Sequence, residues 1–183
     1  GDFVTMRWFN DVWTKEVFAN WFAAQIMRPL FPEVNHALSD LKSYYAAAYT
    51  EARTSGSNAI QRPLENLQDA GLIYCNIIYD KAPVVMDMLA RKLGPDKFRS
   101  GIRQYLEQFG YSNATWDDLV GILDGMTDDD LAAWSDIWIK EAGMPVYSAE
   151  IKDGAVSLVQ EDPMGKGREW EQELDYRVAE DRF

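Results

Sequence analysis

A chain of 183 residues, 47% of them hydrophobic and 13% aromatic, has the length of one ordinary domain, or of one domain and a piece of another, and enough apolar material for a real core. Its 18 Lys and Arg against 30 Asp and Glu leave a formal charge of −12, which repels phosphate backbones and argues against nucleic-acid binding. One Cys and one His exclude an internal disulfide, a CxxC motif and a self-contained zinc site built on a histidine pair or a cysteine cluster. No apolar run reaches the roughly 18 residues a membrane span needs. No basic-then-apolar leader opens the chain, whose first residues read like the middle of something, so the compartment is left open.

Helical periodicity begins at about Asp11 and runs to Met27, with Trp13, Val17, Trp21 and Ala24 at three and four spacing and Phe18, Phe22 and Ile26 widening the stripe. Arg28-Pro29 is expected to close that helix. A second helix is expected from about Asn35 to Glu51, with Leu38, Leu41, Tyr45, Ala48 and Tyr49 inward, and a loop from Arg53 to Gln61. Helix resumes at Pro83, is punctuated by Gly94-Pro95, and continues through Phe98, Ile102, Tyr105, Leu106 and Phe109. Thr115-x-x-Asp118 and Thr127-x-x-Asp130 read as capping patterns for two further helices, so four helices with short turns predict a bundle. After Gly143-Met144-Pro145 the period becomes two. Val146 to Ile151 and Ala155 to Gln160 alternate around Lys152-Asp153-Gly154, a hairpin signal, and Trp170 to Val178 alternates again, giving about three strands.

Candidates for chemistry are few. Glu16 lies among large apolar residues of the first helix, either as a solvent-side charge or as a carboxylate held in an apolar pocket. Asp11 suits the helix N-terminus. His36 reads as a cap or surface residue and Cys75 as a small core residue. Tyr79-Asp80-Lys81-Ala82-Pro83 crowds a helix entrance: an N-cap Asp80 accounts for Asp80 and Pro83 but leaves Tyr79 without a reason. Trp13, Trp21, Trp134 and Trp138 fall on apolar stripes, which favours core over a sugar-binding surface.

The opening FVTMRWFNDVWTKEVFA resembles the segment that follows the zinc motif in aminopeptidase N-like gluzincin metallopeptidases, close to G-N-x-V-T-M-x-W-W-N-D-x-W-L-N-E-G-F-A. RTSGSNAI, IIYDKAPVVMDML, FRSGIRQYLEQFGYSNATWDDL and DLAAWSDIWIKEAGMP agree with the family in the same order. The resemblance implies a mainly α fold: the helical C-terminal subdomain of a thermolysin-like zinc peptidase catalytic domain over residues 1–144, then the first strands of a β domain over 145–183. In that family an HExxH motif is followed by eighteen residues and a Glu that is the third zinc ligand. With Glu16 as that Glu, residues 1–15 supply fifteen of the eighteen, and the second His is expected three residues before Gly1.

What the resemblance implies for the site follows position by position. Glu16 matches the zinc ligand, Tyr79 the oxyanion-stabilising Tyr of a Y-x-K-G motif, and Asp11 a residue that orients a ligand. Val17 stands in place of a Gly, Thr14-Lys15 in place of Leu-Asn, and Ala82 in place of the motif's Gly. The implied activity is zinc-dependent release of N-terminal residues from peptides by the parent protein. The fragment by itself is expected to be zinc-poor and inactive, and its partners to be the peptide substrate and the other half of the catalytic domain. A face bordered by Glu16, Trp8 and Tyr79 is expected to be apolar and prone to self-association. The alternative is a non-catalytic helical interaction module derived from the peptidase fold.

Overall fold

The computed structural model describes residues 3–72 and 74–174. The chain enters through β1 (Val4–Met6), makes one 3-10 turn (Phe9–Asp11) and continues into the long α1 (Val12–Leu30). Next come α2 (His36–Asp40), a π-helical turn (Leu41–Tyr45) and α3 (Ala46–Ala52), joined without a break. An irregular stretch leads through a 3-10 segment (Leu67–Leu72) to a second π-helical turn (Ile77–Lys81) and α4 (Ala82–Leu93). Then follow α5 (Pro95–Phe109), β2 (Ser112–Ala114), α6 (Trp116–Asp124) and α7 (Leu131–Trp138), and finally the hairpin β3 (Val146–Lys152) and β4 (Ala155–Glu161). The architecture is mainly α with a short β segment, and no helix among the described residues is long and apolar enough to cross a membrane.

Most of these elements follow from local chemistry. Thr115 and Asp118 form a reciprocal capping box, each satisfying a backbone N–H of the other at the start of α6. Gly94, at φ +79°, takes the left-handed geometry that lets α4 stop and α5 start at Pro95 one residue later. Asp153 and Gly154 both have positive φ, 53° and 77°, as a two-residue hairpin turn with the right twist requires. α5 and α6 touch at Gly101, where an added Cβ would collide with the Leu123 side chain.

One continuous core joins α1, α4, α5, α6 and α7. Trp13 and Trp116 meet at 4.8 Å between ring centres, and the Trp116 indole N–H donates 2.7 Å to the buried Ser135 hydroxyl. Trp134, Trp138 and Trp170 extend this core toward the end of the chain. The indoles of Trp134 and Trp138 donate to the Glu171 carbonyl at 3.1 and 3.0 Å. Trp13, Trp134 and Trp138 are therefore interior, and Trp21 is half-buried, as the apolar stripes predict.

Several expectations are corrected. α1 runs to Leu30, past Pro29; a proline so near the C-terminus removes one helical bond, yet Phe31 N still reaches the Met27 carbonyl. The second helix has the expected extent but contains a π-turn, and Leu38, Leu41, Tyr45 and Tyr49 are exposed while Ala48 and Ala52 are buried. α2 and the π-turn bury no residue, and only Ala48 and Ala52 of α3 reach the interior, so the large apolar side chains of this segment stay outside on both sides of the turn. Asp80 is no N-cap: it lies inside the second π-turn, and α4 begins without a side-chain cap. α7 is capped by Asp130 itself, which accepts from Ala133 N at 2.8 Å, while the Thr127 hydroxyl goes to Asp129. Asn35, not His36, caps α2. The first two C-terminal strands form. Trp170 to Leu174 carry no strand, and the remainder of the third expected strand lies outside the described residues.

Candidate functional site

β1 pairs in parallel with β2, Val4 opposite Ser112 and Met6 opposite Ala114, and this pairing aims the chain into the 3-10 turn and the start of α1. The turn is fixed by Asp11, which is 1% exposed. One carboxylate oxygen accepts from Gln61 Nε2 at 2.6 Å and the other from the Trp116 amide at 3.4 Å, at the N-terminus of α6. The Asp11 carbonyl accepts from the Thr14 hydroxyl at 2.7 Å. Burial pushes the Asp11 carboxyl above its ordinary value, and the bonds from Gln61 and Trp116 pull it back. Asp11 thus ties α1, the 53–64 segment and α6 together, and its carboxylate turns toward the core.

Glu16, one turn into α1, turns the other way. Its side chain is 25% exposed and stands on the wall of a cleft of about 690 Å³ between β1, α1 and α5, lined also by Met6, Thr14, Phe18 and Tyr105. Lys15 Nζ lies 3.3 Å from Glu16 Oε1, and this bond raises the Lys15 ammonium pKa. The same ammonium sits 5.8 Å from the centre of the Tyr74 ring, and Tyr74 stacks on Tyr79 with centres 6.5 Å apart.

Tyr79 therefore joins Glu16 in one electrostatic neighbourhood although 63 positions separate them in the chain. Loss of solvent raises the Tyr79 phenol pKa first, and the Glu16 charge raises it further; Lys15 acts in the opposite sense. A phenol so placed keeps its proton at neutral pH and remains a hydrogen-bond donor. The structure brings Glu16 and Tyr79 together, and it adds Lys15 and Tyr74, to which the sequence assigned no role. Spacing gave no signal for Lys15, since neighbouring positions on a helix do not face each other and the contact rests on the side-chain conformations.

A half-buried carboxylate on a cleft wall is a good oxygen donor for a divalent cation. Glu16 supplies one such donor. Among the described residues, no group of three His, Cys, Asp or Glu comes together, so the cluster offers a single ligand rather than a set. His36 lies elsewhere, with Nε2 2.8 Å from the Phe31 carbonyl. Cys75 is half-buried against the core.

Residues 1–138 match the Peptidase family M1 domain. The chain is 30% identical over 169 residues to Aminopeptidase M1-A of Oryza sativa subsp. japonica, covering 92% of this chain and 19% of that protein. It is 30% identical over 178 residues to Aminopeptidase N of Lactobacillus helveticus, covering 93% and 21%. With Aminopeptidase N of Lactococcus lactis subsp. cremoris it shares 31% over 176 residues, covering 93% and 21%. The chain spans about a fifth of the length of these relatives.

Proposed function

The chain belongs to peptidase family M1, and from that premise we propose that it is part of a zinc-dependent aminopeptidase that releases N-terminal residues from peptides. In this reading residues 1–144 form the helical C-terminal part of the catalytic domain, and 145–183 open the β domain that follows. The observation that carries the reading is the convergence of Glu16 and Tyr79, with Lys15 and Tyr74, into one electrostatic cluster.

Glu16 acts as one metal ligand, and a His pair on the polypeptide ahead of residue 1 completes the set. Zinc held in this way lowers the pKa of water and polarises a carbonyl. The chain's own residues do the rest. The Tyr79 O–H donates to the oxygen on which negative charge develops as the peptide carbonyl becomes tetrahedral. Asp11 keeps the first turn of α1, and with it the backbone that presents Glu16, fixed against Gln61 and Trp116.

The isolated chain is inactive in this reading because it brings one ligand of three. In this reading the face bordered by Glu16, Trp8 and Tyr79, with Trp8 45% and Tyr79 38% exposed, packs against the rest of the catalytic domain, and in the isolated chain it drives self-association.

The test is dialysis of the full-length protein against a chelator, with release of the N-terminal residue from peptides as the readout. Activity is expected to vanish, to return with one equivalent of zinc, and to be absent on N-acetylated peptides. Unchanged turnover after complete metal removal overturns the proposal.

A further inference from the structure

Two residues after Tyr79, Lys81 is 4% exposed. Its Nζ donates 2.7 Å to the Gly143 carbonyl, across 62 positions of sequence. Among the described residues no carboxylate forms an ion pair with Lys81. Its charged neighbour is Arg168, a like charge, and burial together with that neighbour lowers the ammonium pKa to about 8. A buried cation without a counter-charge stabilises a fold poorly. What Lys81 supplies is geometry.

The two side chains leave the same π-turn on different sides, Tyr79 exposed and Lys81 buried. A single π-turn, closed here by Ala82 N on the Ile77 carbonyl, has weak intrinsic preference and takes its shape from what holds it. The Gly143 carbonyl is itself held. Gly143 has φ +98°, and the preceding Ala142 carbonyl accepts from Arg168 Nη1 at 2.7 Å. Arg168 is clamped by Asp162 at 2.9 Å and Glu141 at 3.1 Å, with its guanidinium 4.5 Å from the centre of the buried Trp170 ring. The post-hairpin segment thus grips one peptide group, and Lys81 grips the next.

We propose that Lys81 is a positioning residue for Tyr79: its bond to the Gly143 carbonyl sets the orientation of the π-turn, and the Arg168 clamp on Ala142 makes the segment after the hairpin part of the same frame. The inference rests on the reading of Tyr79 as the oxyanion donor, but its physical content, control of Tyr79 by Lys81, is tested separately.

The experiment places 3-fluorotyrosine at position 79 of the full-length protein and records the ¹⁹F spectrum with Lys81, Lys81→Met and Lys81→Gln. Met keeps the stem without the donor; Gln keeps an amide donor on a shorter stem. A label at Tyr111, which is 89% exposed, serves as the control. The expected result is a shifted or broadened signal at position 79 in both variants, an unchanged signal at 111, and a native far-ultraviolet spectrum. In the full-length enzyme kcat is expected to fall about tenfold, the equivalent of about 1.4 kcal/mol, with KM unchanged. An unchanged signal at position 79 in a folded variant overturns the proposal, and so does loss of fold in both variants, which makes Lys81 a determinant of the fold instead. If Tyr79→Phe keeps full turnover while the ¹⁹F signal still moves, the oxyanion reading fails and the positioning of Tyr79 stands.

Discussion

Glu16→Gln in the full-length protein is expected to lower metal affinity by more than about 100-fold and to reduce turnover in proportion to the metal lost. Loss of groups that merely orient a ligand costs about 10–100-fold, and removing a ligand's charge has to cost more. Gln keeps the size and polarity of Glu but presents a neutral oxygen. The fold should barely register the change. Glu16 is half-buried on a cleft wall, its ion pair with the adjacent Lys15 is partly solvated, and such surface changes usually fall within about 0.5 kcal/mol. Zinc content by mass spectrometry, thermal midpoint and turnover on the same samples separate the two effects. Stoichiometric zinc with wild-type turnover in the variant removes Glu16 from the site.

Tyr79→Phe is expected to lower kcat by about 100- to 1000-fold, the range for losing one donor to a developing oxyanion, with KM and zinc content unchanged. Phe preserves the ring that stacks on Tyr74 at 6.5 Å, so only the O–H is removed. The split matters: a loss confined to kcat identifies an interaction made in the transition state, and a loss in KM alone identifies uniform binding. Full kcat in the Phe variant contradicts the role assigned to Tyr79.

Elements whose cause is local were legible in the sequence. The Thr115–Asp118 box, the Gly94-Pro95 break and the Asp153-Gly154 turn each depend on residues within a few positions of one another, and each forms as expected. The parallel pairing of β1 with β2 was not legible, because two three-residue strands more than a hundred positions apart carry no periodic signal. The π-turns were hidden for a related reason. They change a helix's register without changing its composition, and this explains the failed capping role of Asp80, which lies inside the second of them. Glu16 and Tyr79 stood out through their resemblance to a family motif; their closeness to each other, to Lys15 and to Tyr74 emerges only once α1 packs against the second π-turn. Lys81 stood in the crowded helix entrance with no role of its own, since burial of an ammonium against a carbonyl 62 positions away leaves no trace in spacing.

The central claim is that Glu16 and Tyr79 belong to one metal centre. An anomalous-scattering map at the zinc edge from crystals of the full-length protein tests it most directly. The account predicts one strong peak about 2.0–2.2 Å from a Glu16 carboxylate oxygen, the ordinary zinc–carboxylate distance, with the Tyr79 hydroxyl facing the open side of the metal. A stoichiometric zinc peak remote from Glu16, or no peak in a protein that still releases N-terminal residues, contradicts it.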